Sequence, residues 1–146
     1  MYTEPVQYRW GASGDLDLLY HLCHTSGARR IIETGVAYGW SSLVLLLSAT
    51  EYPDGAVVST DMPYVLRFGD QWVGCVVPER LRGRWQLLRY PDREGLPKAL
   101  NIFPEIDLCH YDSHKSYRAR MWAYPLLWHA LRPGGYFISD DIGDDQ

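Results

Sequence analysis

Five short runs rich in apolar and β-branched residues punctuate this chain: Arg30–Thr34, Ala56–Thr60, Trp85–Arg89, Ile106–Tyr111 and Tyr136–Ser139. The segments between them read mainly as helix and turn. The runs are mostly apolar without strict alternation, so both faces of the sheet they form must be covered. Strands alternating with helices imply parallel pairing. Right-handed crossovers then make a doubly wound α/β sheet, here expected in the order 3-2-1-4-5. Such sheets bind ligands beyond the carboxyl ends of their strands, near the switch point.

The intervening segments fit this scheme. Asp15–His24 carries Leu16, Leu19, Leu22 and Cys23 on one helical face. Ser41–Ala49 reads as a buried helix, closed by Tyr-Pro-Asp-Gly at 52–55. Ser116–Leu131 reads as a helix with Tyr117, Met121, Tyr124, Trp128 and Leu131 along one stripe, which Pro125 should kink or break. Arg-Pro-Gly-Gly at 132–135 turns the chain into the fifth strand. No repeat or linker interrupts the 146 residues, so one domain is expected. With 47% hydrophobic and 22% charged residues there is material for a core and too little charge for a disordered tail. The net charge of −4 argues against nucleic acid and anionic membrane as partners. The polar, aromatic stretch Met1–Trp10 lacks the apolar region of a signal peptide, and the longest apolar run, Leu43–Leu47, is too short for a bilayer. Cys23, Cys75 and Cys109 are spaced too widely for a zinc knuckle and are expected as reduced, mostly buried thiols of a cytoplasmic protein.

The strand ends carry the candidate chemistry. After the first strand comes Glu33-Thr-Gly35-Val-Ala37-Tyr-Gly39-Trp-Ser41-Ser42. Its two glycines allow a sharp turn and a close approach to a ligand. The spacing is not that of a dinucleotide-binding turn, and a carboxylate just before it suits a cationic group better than a phosphate. The competing reading is a structural turn with Glu33 paired to Arg29 or Arg30. Asp61, ending the second strand, is placed to accept ribose hydroxyls. Tyr111-Asp112-Ser113-His114-Lys115 and Ser139-Asp140-Asp141 follow the fourth and fifth strands, which lie side by side. Their three carboxylates should converge, and a hard divalent cation would relieve the repulsion. Alternatively Asp112 caps the following helix. The aromatic segment Met62–Val77 is expected to cover the site, with Tyr64, Phe68 and Trp72 as wall residues.

These segments resemble the class I S-adenosylmethionine-dependent methyltransferases, in particular the small-molecule O-methyltransferases of the catechol type and their bacterial relatives. The likeness runs over residues 14–145 and rests on the glycine turn, Val57–Asp61, Asp107–Tyr117 and Leu131–Asp141. The resemblance implies that Gly35, Ala37 and Gly39 pass under the methionine part of the cofactor. Glu33 would lie near its amino group, Ser41 near its carboxylate and Asp61 on its ribose. Asp92 would read the adenine, and Asp112 would border the cofactor. It also implies that Asp112, Asp140 and Asp141 hold Mg²⁺ or a similar metal, and that Lys115, or His114 beside it, removes a proton from the acceptor hydroxyl. The fold of that family normally continues through another helix and an antiparallel strand pair beyond the point where this sequence stops at Gln146, so either a truncated form or a minimal one that borrows cover from another subunit is expected. The chain's fifth strand is therefore expected to pair or pack against a second copy, most simply in a dimer. Two other functions compete: a cofactor-binding scaffold without catalysis, and a nicotinamide oxidoreductase. The absent third glycine and Glu33 count against the second.

Overall fold

The computed structural model describes residues 15–64 and 69–142. Phe68, and the acidic residues after Gly143, lie outside them. Five parallel strands, β1 (Arg30–Thr34), β2 (Ala56–Asp61), β3 (Trp85–Arg89), β4 (Ile106–Tyr111) and β5 (Leu131–Ser139), form one sheet in the order β3-β2-β1-β4-β5. The expected doubly wound order is therefore observed. The switch lies between β1 and β4, from which the chain proceeds toward opposite edges of the sheet, to β2 and β3 on one side and β5 on the other.

Helices α1 (Leu16–Ser26), α2 (Trp40–Ala49), α3 (Glu79–Arg82), α4 (Asp92–Ile102) and α5 (Tyr117–Ala130) cover both faces. One core layer joins Leu19, Cys23, Leu45 and Leu46 to Ile31, Val57 and Leu108 of the sheet. The other joins Leu96, Ala99, Ala123 and Leu127 to Ile32, Val58 and Cys109. Neighbouring residues of one strand thus feed opposite layers, Ile31 and Ile32 being the clearest pair. Asp15 starts α1 by accepting the Leu18 amide at 2.9 Å, and left-handed Gly27 ends it.

Several expectations change. α4 has no counterpart in the sequence reading, because its Gly95 and Pro97 mask the helical period; Gly95 is there because its face lies against Thr60. The helix α5 runs unbroken through Pro125. Its Tyr117, Met121 and Trp128 face solvent, while Ala123 and Leu127 are the buried positions. The small Ala123 allows close packing on the sheet, and the bulky residues are left outside. β5 begins at Leu131 rather than Tyr136: residues 132–135 are accommodated as an irregularity between the pairs Ile106↔Leu131 and Leu108↔Tyr136. Cys23 and Cys109 are buried but Cys75 is exposed. No helix among the described residues is long and apolar enough to cross a membrane.

Candidate functional site

The carboxyl ends of the strands open into one cleft of about 1590 Å³. Its lining includes Gly35, Ala37, Gly39, Ser41, Asp61, Asp92, Asp112, His114, Lys115, Asp140 and Asp141. The sequence therefore brings together eleven of the twelve expected residues. The twelfth, Glu33, lies beneath the floor.

Glu33 is fully buried in the middle of the sheet. It accepts hydrogen bonds from the hydroxyls of Ser41 (2.6 Å), Ser42 (2.5 Å) and Ser59 (2.6 Å). The Nδ1 of His110, its direct neighbour on β4, lies 3.7 Å from Oε1. Burial pushes the Glu33 carboxyl up, but His110 and the seryl hydroxyls outweigh it and hold the pKa below its ordinary value. Burial likewise pushes His110 down, and Glu33, with Asp112 and Asp140 behind it, raises it overall. Arg29 and Arg30 do not reach Glu33; they pair with Asp54, and with Glu105 and Asp107. Both sequence readings of Glu33 thus give way to a third, in which it ties α2 to the sheet from below. Ser41 lines the cleft, yet its hydroxyl is given to Glu33.

The glycine loop is shaped by close approaches within the protein. A Cβ on Gly35 (φ 80°) would collide with the Asp112 backbone carbonyl, and one on Gly39 (φ 93°) would come within 2.8 Å of the Gly74 Cα. Between them Ala37 is left-handed (φ 48°), as is Asp141 (φ 52°) on the opposite side. Both non-glycine residues with positive φ among the described residues therefore line the cleft, where local strain is commonly tolerated for function.

Asp61 is 6% exposed. Its Oδ2 accepts the amides of Val36 (2.8 Å) and Ala37 (3.0 Å), and Oδ1 faces Arg89 Nη1 at 3.0 Å. Burial pushes its carboxyl up by more than these partners pull it down. Asp92, the first residue of α4, accepts the Ser113 hydroxyl at 2.6 Å and lies 3.4 Å from the Tyr111 hydroxyl. Met62 and Tyr64 extend the wall beyond Asp61, whereas Trp72 is half exposed and away from the lining.

On the other side, Lys115 forms ion pairs with Asp112 (3.5 Å) and Asp141. Asp140 Oδ1 accepts the Asp141 amide at 2.9 Å. Burial raises the Asp112 pKa despite Lys115 and His110, and Asp112 Oδ1 is buried without a hydrogen bond. Asp112 does not cap α5; Ser116 does, through the Ala119 amide. Among the described residues no three His, Cys, Asp or Glu side chains are gathered for a metal ion. Lys115 stands between two of the three carboxylates, pairing with Asp112 and Asp141 and compensating one charge. The donor chemistry nevertheless fits a hard cation: three carboxylates at adjoining strand ends, one with a buried oxygen that accepts no hydrogen bond and has only the Lys115 ammonium at 3.5 Å. His114 Nδ1 accepts the Ser116 amide at 3.3 Å, which leaves the proton of a neutral ring on Nε2.

The sequence reading missed His110 and Arg89. Both are polar residues inside β runs, and the signal was strand register: Glu33 lies opposite His110, and Asp61 opposite Arg89.

A family model described as a methyltransferase domain matches residues 32–142. No curated protein matches the chain. Among solved structures, an O-methyltransferase from Bacillus cereus in complex with SAH is 20% identical with a TM-score of 0.73, over 94% of this chain and 60% of that one. The O-methyltransferase TomG from Streptomyces achromogenes, involved in tomaymycin synthesis and solved with SAM, is 19% identical with a TM-score of 0.65, over 89% and 56%. The SAH-bound Podospora anserina methyltransferase PaMTH1 is 16% identical with a TM-score of 0.65, over 90% and 53%. The chain thus spans less than two thirds of the length of these structures, and the likeness is one of fold.

Proposed function

The chain belongs to the methyltransferase-domain family, and we propose that it moves a methyl group from S-adenosylmethionine to a hydroxyl of a small molecule such as a sugar, a phenol or a natural-product intermediate. The observation that carries this reading is one cleft lined at once by the glycine loop, by Asp61 and Asp92 at neighbouring strand ends, and by Lys115. Acidic residues outnumber basic ones in that lining, which suits a sulfonium ligand. The cofactor, when bound, supplies a methyl group already activated on sulfur.

The protein's own part is alignment and proton removal. Gly35, Ala37 and Gly39 would present backbone to the methionine portion, while Asp61 and Asp92 would accept from the ribose and the adenine amino group. Glu33 acts from below by fixing Ser41. Lys115, once its ammonium has lost a proton, or His114 beside it, is the group proposed to take the acceptor's proton. A divalent cation such as Mg²⁺ would be held by Asp112, Asp140 and Asp141, and would lower the pKa of an acceptor hydroxyl. A cytoplasmic location and a homodimer through the β5 edge belong to the same reading; light scattering at micromolar concentration that returns a monomer would remove the dimer from it.

The primary test is calorimetric titration of the protein with S-adenosylhomocysteine. Saturable binding is expected, and its absence would overturn the reading. Transfer to an identified acceptor that persists in excess chelator would remove the metal but leave the methyltransferase.

A further inference from the structure

Arg89 ends β3 directly opposite Asp61, so parallel pairing sets the two side chains on one face of the sheet. It is absent from the lining of the cleft, yet three of its contacts lead there. One guanidinium nitrogen faces Asp61 Oδ1 at 3.0 Å. The other pairs with Asp70, which also accepts the Tyr64 amide at 3.0 Å. The guanidinium carbon lies 5.6 Å from the centre of the Tyr64 ring, in cation–π range. Asp61 and Tyr64 both line the cleft.

The consequence lies one residue further on. The second oxygen of Asp61 holds the amides of Val36 and Ala37, and Ala37 is the left-handed alanine of the glycine loop. That conformation is strained for a residue with a Cβ and persists only where its surroundings over-determine it. Asp61 is almost completely buried, and a buried carboxylate needs a cation or donors on both oxygens. Arg89 engages one oxygen and so leaves the other aimed at the loop.

We infer that Arg89 is a positioning residue of the proposed methyl-donor site: it holds Asp61 against the loop amides without entering the cleft. The inference rests on the reading above for its functional meaning, but its structural core can be tested without a cofactor. An ion pair on an ordinary surface would contribute almost nothing. This one differs because the Asp61 side chain is 5% exposed and the Arg89 side chain 25%.

The experiment compares wild type, Arg89→Met, Arg89→Gln and Arg89→Lys. One readout is amide hydrogen exchange at Val36 and Ala37 in the ligand-free protein, with Leu108 and Cys109 of β4 as an internal reference. The other is S-adenosylhomocysteine affinity, with KM and kcat for the methyl donor once an acceptor is in hand. Arg89→Met is expected to speed exchange at the two loop amides about tenfold while β4 is unchanged, and to weaken binding about tenfold, the scale of about 1.4 kcal/mol for the loss of a mostly buried ion pair. The loss should sit in KM rather than kcat. Arg89→Lys should restore most of both, and Arg89→Gln, which can donate but carries no charge, should fall between. Unchanged exchange and affinity in Arg89→Met overturns the inference, as does equal acceleration in β4, which would mark a general loss of stability. If Arg89→Met does not fold, the same criteria apply to Arg89→Gln. If wild type binds no S-adenosylhomocysteine, the functional reading fails, and loop exchange alone still decides whether Arg89 positions Asp61.

Discussion

Asp107 and Asp112 stand near opposite ends of β4, and the protein treats their carboxyls in opposite ways. Asp107 accepts the amides of Arg29 (2.9 Å) and Arg30 (2.8 Å) and the Nε of Arg132 (2.7 Å). Burial pushes its pKa up, but these donors outweigh burial and hold it below the ordinary value. Asp112 is also partly buried, yet its pKa lies above the ordinary value, because burial outweighs Lys115 and His110. The amino end of the sheet is a satisfied network that ties the starts of β1, β4 and β5 together. The carboxyl end leaves charge incompletely compensated, facing a cleft. Groups held out of balance in this way are where binding and catalysis are found.

If the comparison is right, substitutions at the two ends separate stability from function. The largest effect is expected at Lys115, whose side chain is half exposed. Lys115→Met should lower kcat by about 10²–10⁴-fold, the range for a general base, with S-adenosylhomocysteine affinity and thermal midpoint nearly unchanged. A variant of wild-type kcat would take Lys115 out of the chemistry. Next comes Asp107→Ala, which strands two backbone amides and frees Arg132. It should cost about 2–4 kcal/mol of stability by denaturant unfolding. An equally large loss from Asp112→Ala would erase the distinction between the two ends. Third, Asp61→Ala should weaken S-adenosylhomocysteine binding by about 1.5–3 kcal/mol, the scale of hydrogen bonds to a charged group. Equal affinity in calorimetry would mean that Asp61 serves the loop and not the ligand.

The same contrast explains what could be read from the sequence. The five strands, their order and the identity of the strand-end residues were legible, because apolar β runs and glycine turns are local signals. Eleven of the twelve proposed residues reach the cleft for that reason. Pairing of side chains was not legible, since it depends on register and burial. Glu33 was expected to face a ligand, but three serines from two other elements close over it. Lys115 was expected beside a metal cluster, and it pairs with two of the three carboxylates itself. Nothing local to Asp107 signals its role, because Arg29, Arg30 and Arg132 converge on it from distant parts of the chain.

The smallest effect sharpens the comparison most, because it is a difference in sign. A carboxyl whose folded pKa lies below its unfolded value stabilises the fold above the unfolded pKa, and that contribution disappears as pH falls through the folded pKa. Asp107 is such a group. Asp107→Asn should therefore reduce stability at neutral pH, and the deficit should begin to shrink as pH falls below about 4, where the unfolded-state carboxyl protonates, and vanish only once pH has passed below the folded pKa. Asp112 is the reverse case. Its folded pKa is raised, so ionised Asp112 opposes folding once pH exceeds the unfolded pKa, and Asp112→Asn should gain stability as pH rises. The Asp112 side chain is 32% exposed, so solvent screening keeps that gain under about 1 kcal/mol. Both variants would be unfolded in urea at a series of pH values between about 3 and 8, with chelator present, against wild type. Difference curves of opposite slope are expected. Two curves of the same sign would show that the two ends of β4 are not electrostatically distinct, and the division between a stabilising end and a functional end would fall with them.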